Sequence, residues 1–444
     1  MTNMSTPTTA APPSQRALAR KVAITTMIGT ATEWYDYFLY GIATALVFST
    51  VFFPNFSPAV GTLASFGAFA VTFAVRPLGA IVFGHFGDKY GRKRTLVASI
   101  LMMGIGTVAI GLLPSYAVIG VWAPILLVVL RIMQGFAVGG EYGGATTMAL
   151  EYAPPNRRGL YASFPQMGNP LGLLLGTLML YLFALLPDDE FMSWGWRVPF
   201  LLSAVLVGVG LYIRLNIVES PVFRRAQERE PAQRTPVVTL WRDYRRTMLL
   251  TILAPAAINV SFYVFATWSI AHGRNELHLE SSTILVAVMI AAAVDALVQP
   301  LFGLLSDRIG RRPVYVAGSI WIGVVAFPFF WLLNTGSTPL IVLAMMLAIT
   351  IGHGATYSVQ ASFLAEQFAT RVRYSGLSIA FHVSSALLSG PGPFVAAGLF
   401  ALTSSTASIS AIIIVASTVS VVAITRLRET SGVDIDQWSS AKVR

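Results

Sequence analysis

The chain has 444 residues, 55% of them hydrophobic and only 11% charged, and its mean hydropathy is +0.68. Soluble domains carry roughly 25% charged residues, so the polar surface here is too small to wrap this apolar volume in water, and a soluble enzyme or a disordered chain is excluded. The net charge of +10 would suit nucleic acid, but the placement of the charges argues for a different cause, and the lack of cysteine removes disulfides, thiolate metal sites and thiol catalysis.

Residues 1–16 are rich in Thr, Ala and Pro and read as a short disordered tail. The apolar run that follows Arg16, Arg20 and Lys21 is too long for a signal peptide and ends without a cleavage pattern, so it is expected to be a first spanning helix. A span needs about 20 mostly apolar residues. Runs of that kind are predicted near 22–48, 60–83, 95–113, 121–149, 160–186, 197–217, 247–271, 282–303, 313–333, 339–362, 376–401 and 406–425, which makes an all-α membrane protein of twelve transmembrane helices. Gly135, Gly139 and Gly143, spaced by four, are expected to let helices approach closely.

The connections alternate in charge. Of the 30 Lys and Arg, segments on the far side hold only Arg197 and Arg274, and Arg76 and Arg131 lie within helices; the rest share the side of the N-terminus. The positive-inside rule then places both termini in the cytoplasm. The predicted organisation is a cytoplasmic tail (1–20), a six-helix bundle (21–218), a basic cytoplasmic loop (219–246), a second six-helix bundle (247–428) and a cytoplasmic tail (429–444). Two loops repeat one pattern, G-x-x-x-D-[KR]-x-G-R-[KR]: Gly84, Asp88 and Arg92 after the second helix, and Gly303, Asp307 and Arg311 after the eighth. Glu151 with Arg157, Arg158 and Gly159 matches Glu366 with Arg371, Arg373 and Gly376 at nearly the same offset, so the six-helix unit reads as duplicated. Each patterned loop can act as a latch, its aspartate held by a helix N-terminus and an arginine, or as a static topology anchor.

With these marks the chain resembles the major facilitator superfamily over residues 20–428. Finer marks resemble its metabolite–proton symporter family of organic acid and osmolyte transporters: Glu33-Trp34-Tyr35-Asp36-Tyr37, Arg76-Pro77-Leu78-Gly79, Arg131 with Gln134, Gly135, Gly139, Gly140 and Glu141, Trp196-Arg197-Val198-Pro199-Phe200, Glu219-Ser220-Pro221 with Phe223, and Arg371 through Gly376. The resemblance implies two pseudo-symmetric six-helix bundles, alternating access, and a central cavity lined by helices 1, 4, 7 and 10. It implies proton-coupled uptake of small organic acids or zwitterionic osmolytes. Osmosensing members often carry a long C-terminal coiled coil, and the segment after Arg428 has no heptads.

Ionisable residues inside a membrane are costly and mark a partner or a wet cavity. Glu33 and Asp36, three apart, share a face of the first helix, and repulsion between two such carboxylates favours one of them holding a proton. They are expected to serve proton coupling, or else to pair structurally with Arg76 or Arg131. Arg131 is expected to clamp a substrate carboxylate or to time proton release, with Gln134 along a related face, or to pair with Glu141. Arg76 either faces the interior or snorkels. Tyr37, Asn259, Tyr263, His353 and Tyr357, with Gln360, are expected to reach a solute in the cavity, and His353 titrates in a useful range. Asp295, four residues before Gln299, is either a second proton site or half of an interhelical hydrogen bond. His382 reads as interhelical glue, and Trp34 as a possible solute contact.

No phosphate-binding loop, His-Glu-x-x-His or G-x-S-x-G pattern occurs. The expected function is proton-coupled symport of a small carboxylate-bearing metabolite into a bacterium across its inner membrane. The alternatives are an energy-independent facilitator of a polar metabolite and uptake of a zwitterion such as proline or betaine. The expected partners are that solute, protons and the lipid bilayer, with no nucleic acid, no cofactor, no metal, no enzymatic activity and a monomeric state.

Overall fold

The computed structural model describes residues 15–90, 92–139, 142–215 and 236–432, apart from the side chains of 15–17, 84–90, 92–96, 142–145, 213–215, 236–239, 370, 371 and 374. The N-terminal tail, Glu141, most of the central loop, the end of the C-terminal tail and the side chains of the Gly84–Asp88–Arg92 loop therefore lie outside the described residues, as does any Cβ-level view of Gly143.

Among the described residues twelve helical runs match the expected crossings, eight of them long and apolar enough on their own to span a membrane: α1 (Leu18–Phe52), α2 (Pro58–Tyr90), α3 (Arg92–Leu112), α4 (Trp122–Val138, resuming at Tyr142–Tyr152), α5 (Arg158–Phe183), α6 (Arg197–Leu215), α7 (Arg245–Asn275), α8 (Ser281–Ile309), α9 (Arg311–Leu333), α10 (Thr338–Ala365), α11 (Thr370–Ser384 running on through Pro391–Thr403) and α12 (Ala407–Arg426). In hydrocarbon every backbone N–H and C=O must be satisfied within the segment, which leaves the helix as the form for such runs. Leu78, Ile81, Ile105, Leu297, Val324 and Val415 are exposed, as side chains facing lipid must be. The basic central connection ends in a short helix, Pro236–Asp243, with Leu240 buried and Tyr244 tilted on Phe368.

The two halves share one packing scheme. In the first, α1 runs along α5, α2 along α4 and α3 along α6; in the second, α7 meets α11, α8 meets α10 and α9 meets α12. The halves join along two seams, α5 against α8 and α2 against α11. The duplication extends to irregularities: a π-turn at Thr44–Phe48 of α1 recurs at Val264–Trp268 of α7. Further π-turns occupy Met346–His353 of α10 and Ser385–Ser389 of α11.

Glycines set two of the close approaches. A Cβ on Gly135 would overlap the Thr72 carbonyl, and one on Gly139 the Arg76 carbonyl, so α2 and α4 touch backbone to backbone. On the α5–α8 seam, a Cβ on Gly159 would lie 2.6 Å from the Gly303 carbonyl oxygen, and one on Gly303 would lie 2.7 Å from that of Gly159.

That seam carries the second patterned loop, at the end of the bundle where the basic loops cluster. Asp307 accepts hydrogen bonds from the backbone N–H groups of Gly159 (2.8 Å) and Leu160 (2.9 Å), so it caps the first turn of α5 in the opposite half. Arg311 holds the same carboxylate at 2.6 Å and reaches Glu366 at 3.4 Å. Glu429 accepts from the backbone N–H of Arg311 and Arg312 at the start of α9.

Candidate functional site

A small cleft, part of it open to solvent, lies between the halves. Its wall is Thr30, Glu33, Trp34 and Tyr37 of α1, Arg76 of α2, Val138 and Thr146 of α4, Pro165 and Gln166 of α5, and Phe381 and His382 of α11. On the side away from the basic end, aromatic rings close it. Tyr37 packs against Phe69 (5.3 Å between centroids), Phe73 (5.1 Å) and Tyr263 (6.0 Å), and Phe38 packs against Phe262 (5.7 Å). Tyr263 is thus part of this closure, on the partner half. Farther out, Arg274 donates to the Leu46 carbonyl and ties α7 to α1.

The carboxylates of α1 part company. Glu33 stands on the cavity wall. Asp36 is buried behind it, beside Thr107 of α3 and Arg131 of α4. Three residues advance a helix by about 300°, so the two side chains leave the axis about 60° apart, and that angle separates cavity from bundle interior. One oxygen of Asp36 has no hydrogen-bond partner among the described residues.

Arg131 is off the cavity wall. Its guanidinium sits 3.6 Å from the centre of the Tyr40 ring, and its Nη1 donates to Gln134 Oε1 at 2.6 Å. Gln134 in turn donates to Thr107 Oγ1 at 2.7 Å. Arg131 and Gln134, read in the sequence as substrate contacts, are therefore tied into a cluster with Asp36, and the Tyr37 and Tyr40 rings lie against the arginine at 5.6 and 3.6 Å.

The cation on the cavity wall is Arg76, only 2% exposed. Its guanidinium lies 4.5 Å from the ring centres of both Tyr37 and Phe73. Distance from the Gly84 loop left its direction undecided in the sequence; its side chain faces the cavity. His382, read as interhelical glue, also faces the cavity. Gln166 went unnoticed because its signal, one polar residue in an apolar run beside Pro165, resembles ordinary helix packing.

In the second half, His353 and Asp295 meet each other rather than a shared cavity: His353 Nδ1 lies 2.5 Å from Asp295 Oδ2, joining α10 to α8. Gln299 donates to the same oxygen at 3.3 Å. The imidazole is stacked between Phe262 (4.1 Å) and Tyr357 (4.7 Å), and its Nε2 has no hydrogen-bond partner among the described residues. The Tyr357 carbonyl accepts from Gln166 of α5 at 3.0 Å. Asn259 donates to Ser384 of α11 at 2.9 Å, and Gln360 accepts from Tyr315 at 3.2 Å, so both are engaged within their half. Gly303, Asp307 and Arg311 form the α5–α8 latch described above, while Gly84, Asp88 and Arg92 are outside the described side chains. Among the described residues no cluster of potential metal ligands occurs.

The sequence matches the family model described as Major Facilitator Superfamily over residues 26–393, with a second match over 274–431. It is 44% identical over 386 residues to the inner membrane metabolite transport protein YhjE of Escherichia coli strain K12, covering 85% of this chain and 87% of that one. It is 41% identical over 384 residues to the shikimate transporter of the same strain, covering 86% and 88%. Among solved structures, the proton:xylose symporter XylE bound to 6-bromo-6-deoxy-D-glucose superposes with a TM-score of 0.73 at 16% identity, covering 95% of this chain and 98% of that one, a likeness of fold.

Proposed function

The chain belongs to the major facilitator superfamily, and we propose that this transporter takes up a small carboxylate-bearing metabolite together with protons by alternating access. The basic end of the bundle faces the cytoplasm of a bacterium, by the positive-inside rule, and both termini lie there. The observation that carries the reading is the pairing of two sites one helical turn apart on α1. A solute cavity holds Glu33 and Arg76, and a buried cluster behind Tyr37 holds Asp36 and Arg131. A facilitator needs no carboxylate sealed inside the membrane; a coupled carrier needs one that exchanges a proton as the solute comes and goes. Asp295 with His353 offers a second such place in the other half. The Asp307–α5 contact fits a latch, because it spans the halves at the cytoplasmic end and must break when that end opens.

A second reading, a zwitterion such as proline or betaine, is favoured by Glu33, Trp34 and Tyr37 on one stretch of wall, since a carboxylate and aromatic faces together attract an ammonium group. In proteoliposomes, solute accumulation should require an inward proton gradient. Asp36→Asn should abolish accumulation while counterflow exchange survives; loss of both together refutes a coupling role for Asp36.

A further inference from the structure

Arg76 and Arg131 are both buried cations within the membrane-spanning core, and the structure treats them differently. Arg131 is held at one nitrogen: Gln134 accepts from its Nη1, Tyr40 lies under it and Asp36 supplies a counter-charge, while its Nε and Nη2 have no hydrogen-bond partner among the described residues. Arg76 stands on the cavity wall with its guanidinium 4.5 Å from the ring centres of Tyr37 and Phe73, which lie 5.1 Å apart at 88° and so on one side of it, and among the described residues it has no carboxylate within ion-pair distance. Rings gathered on one side of a guanidinium stabilise its charge and leave the N–H groups on its other side for an acceptor. The acceptor that matches this fork is a planar carboxylate, bound through two parallel hydrogen bonds.

Resting on the transporter reading above, we infer that Arg76, not Arg131, binds the carboxylate of the transported solute, and that Tyr37 couples the two sites by touching both guanidinium groups. A solute carboxylate on Arg76 presses on the same ring that walls off Arg131 and Asp36. Glu33 and Gln166 lie on the same wall, within the cavity that would hold the remainder of a hydroxylated or zwitterionic acid.

The test uses purified protein in nanodiscs and a thermal-shift panel of organic acids, amino acids and betaines. The acid that most stabilises the wild type becomes the probe, with its methyl ester as the control that lacks the charge. The wild type should prefer acid over ester by about a hundredfold, the size of a bidentate charge-assisted contact. Arg76→Gln should erase that preference while ester binding stays within about threefold, and Arg76→Lys, which keeps the charge without the fork, should weaken the acid about tenfold. Arg131→Gln should weaken acid binding less than Arg76→Gln does. Equal loss of acid and ester in Arg76→Gln, or a larger loss in Arg131→Gln, overturns the assignment and leaves the transporter reading standing. If Arg76→Gln does not fold, wild-type acid affinity in Arg76→Lys overturns it. A wild type that no carboxylate stabilises overturns both the assignment and the proposed substrate class.

Discussion

Replacing Asp307 by alanine should tip the conformational balance at the basic end of the bundle. The substitution removes the acceptor for two N–H groups in the first turn of α5, at 2.8 and 2.9 Å, and one of the two carboxylates that hold Arg311. Loss of a helix cap costs about 0.5–2 kcal/mol. Hydrogen bonds to a charged group contribute about 1.5–3 kcal/mol. Glu366 still partners Arg311, which keeps the loss below that of a fully orphaned buried charge. A net change of about 2–4 kcal/mol in favour of separation follows, or at least about thirtyfold in the ratio of open to closed forms. The native chain has no cysteine, so spin labels can be placed at Arg157→Cys and Ile309→Cys, exposed positions on either side of the seam. Pulsed dipolar spectroscopy should show the short-distance population of the parent shrinking in Asp307→Ala, with Asp307→Asn in between. An unchanged distance distribution would refute the latch and leave Asp307 as a topology anchor.

Two further outcomes concern stability. Asp295→Ala should lower the melting temperature in detergent clearly more than Asp295→Asn, because alanine leaves the His353 and Gln299 donors buried and unsatisfied, at about 1–3 kcal/mol for each group. Equal melting points for the two variants would contradict this. Gly135→Val should abolish recovery of folded protein, since even a Cβ there overlaps the Thr72 carbonyl, while Gly29→Ala, with nothing within 4 Å of its Cβ, should be neutral. Recovery of a folded Gly135→Val monomer by size-exclusion chromatography would show that α2 and α4 can part.

The twelve crossings were legible because a bilayer fixes the length of apolar chain that spans it, so each run announces itself without reference to its neighbours. The duplication was legible too, since the Gly84 and Gly303 loops spell one pattern. What the sequence did not reveal is azimuth. The roughly 60° between Glu33 and Asp36 is a small angle on a helical wheel and a large one at the edge of a cavity. Arg131 and Arg76 look alike in a sequence, each a lone cation in an apolar run; only the packed bundle places Arg76 on the cavity wall and Arg131 against Tyr40. In α10, a π-turn ends at His353 and rotates the residues beyond it relative to those before, so offsets counted along a regular helix misplace that face. Asp295 and His353, 58 positions apart, could be paired only once α8 and α10 were laid side by side.

The matched π-turns of α1 and α7 lie beyond the aromatic closure, on the side away from the basic end. Each inserts one residue into its ladder and loosens the regular hydrogen bonding at that point. Both turns are buried, and Arg274 of α7 donates to the Leu46 carbonyl inside the α1 turn, so the two halves are joined at this irregularity. A hydrogen bond sent into a loosened turn of the ladder satisfies a carbonyl that the regular helix would have used, and so marks where one half is read by the other.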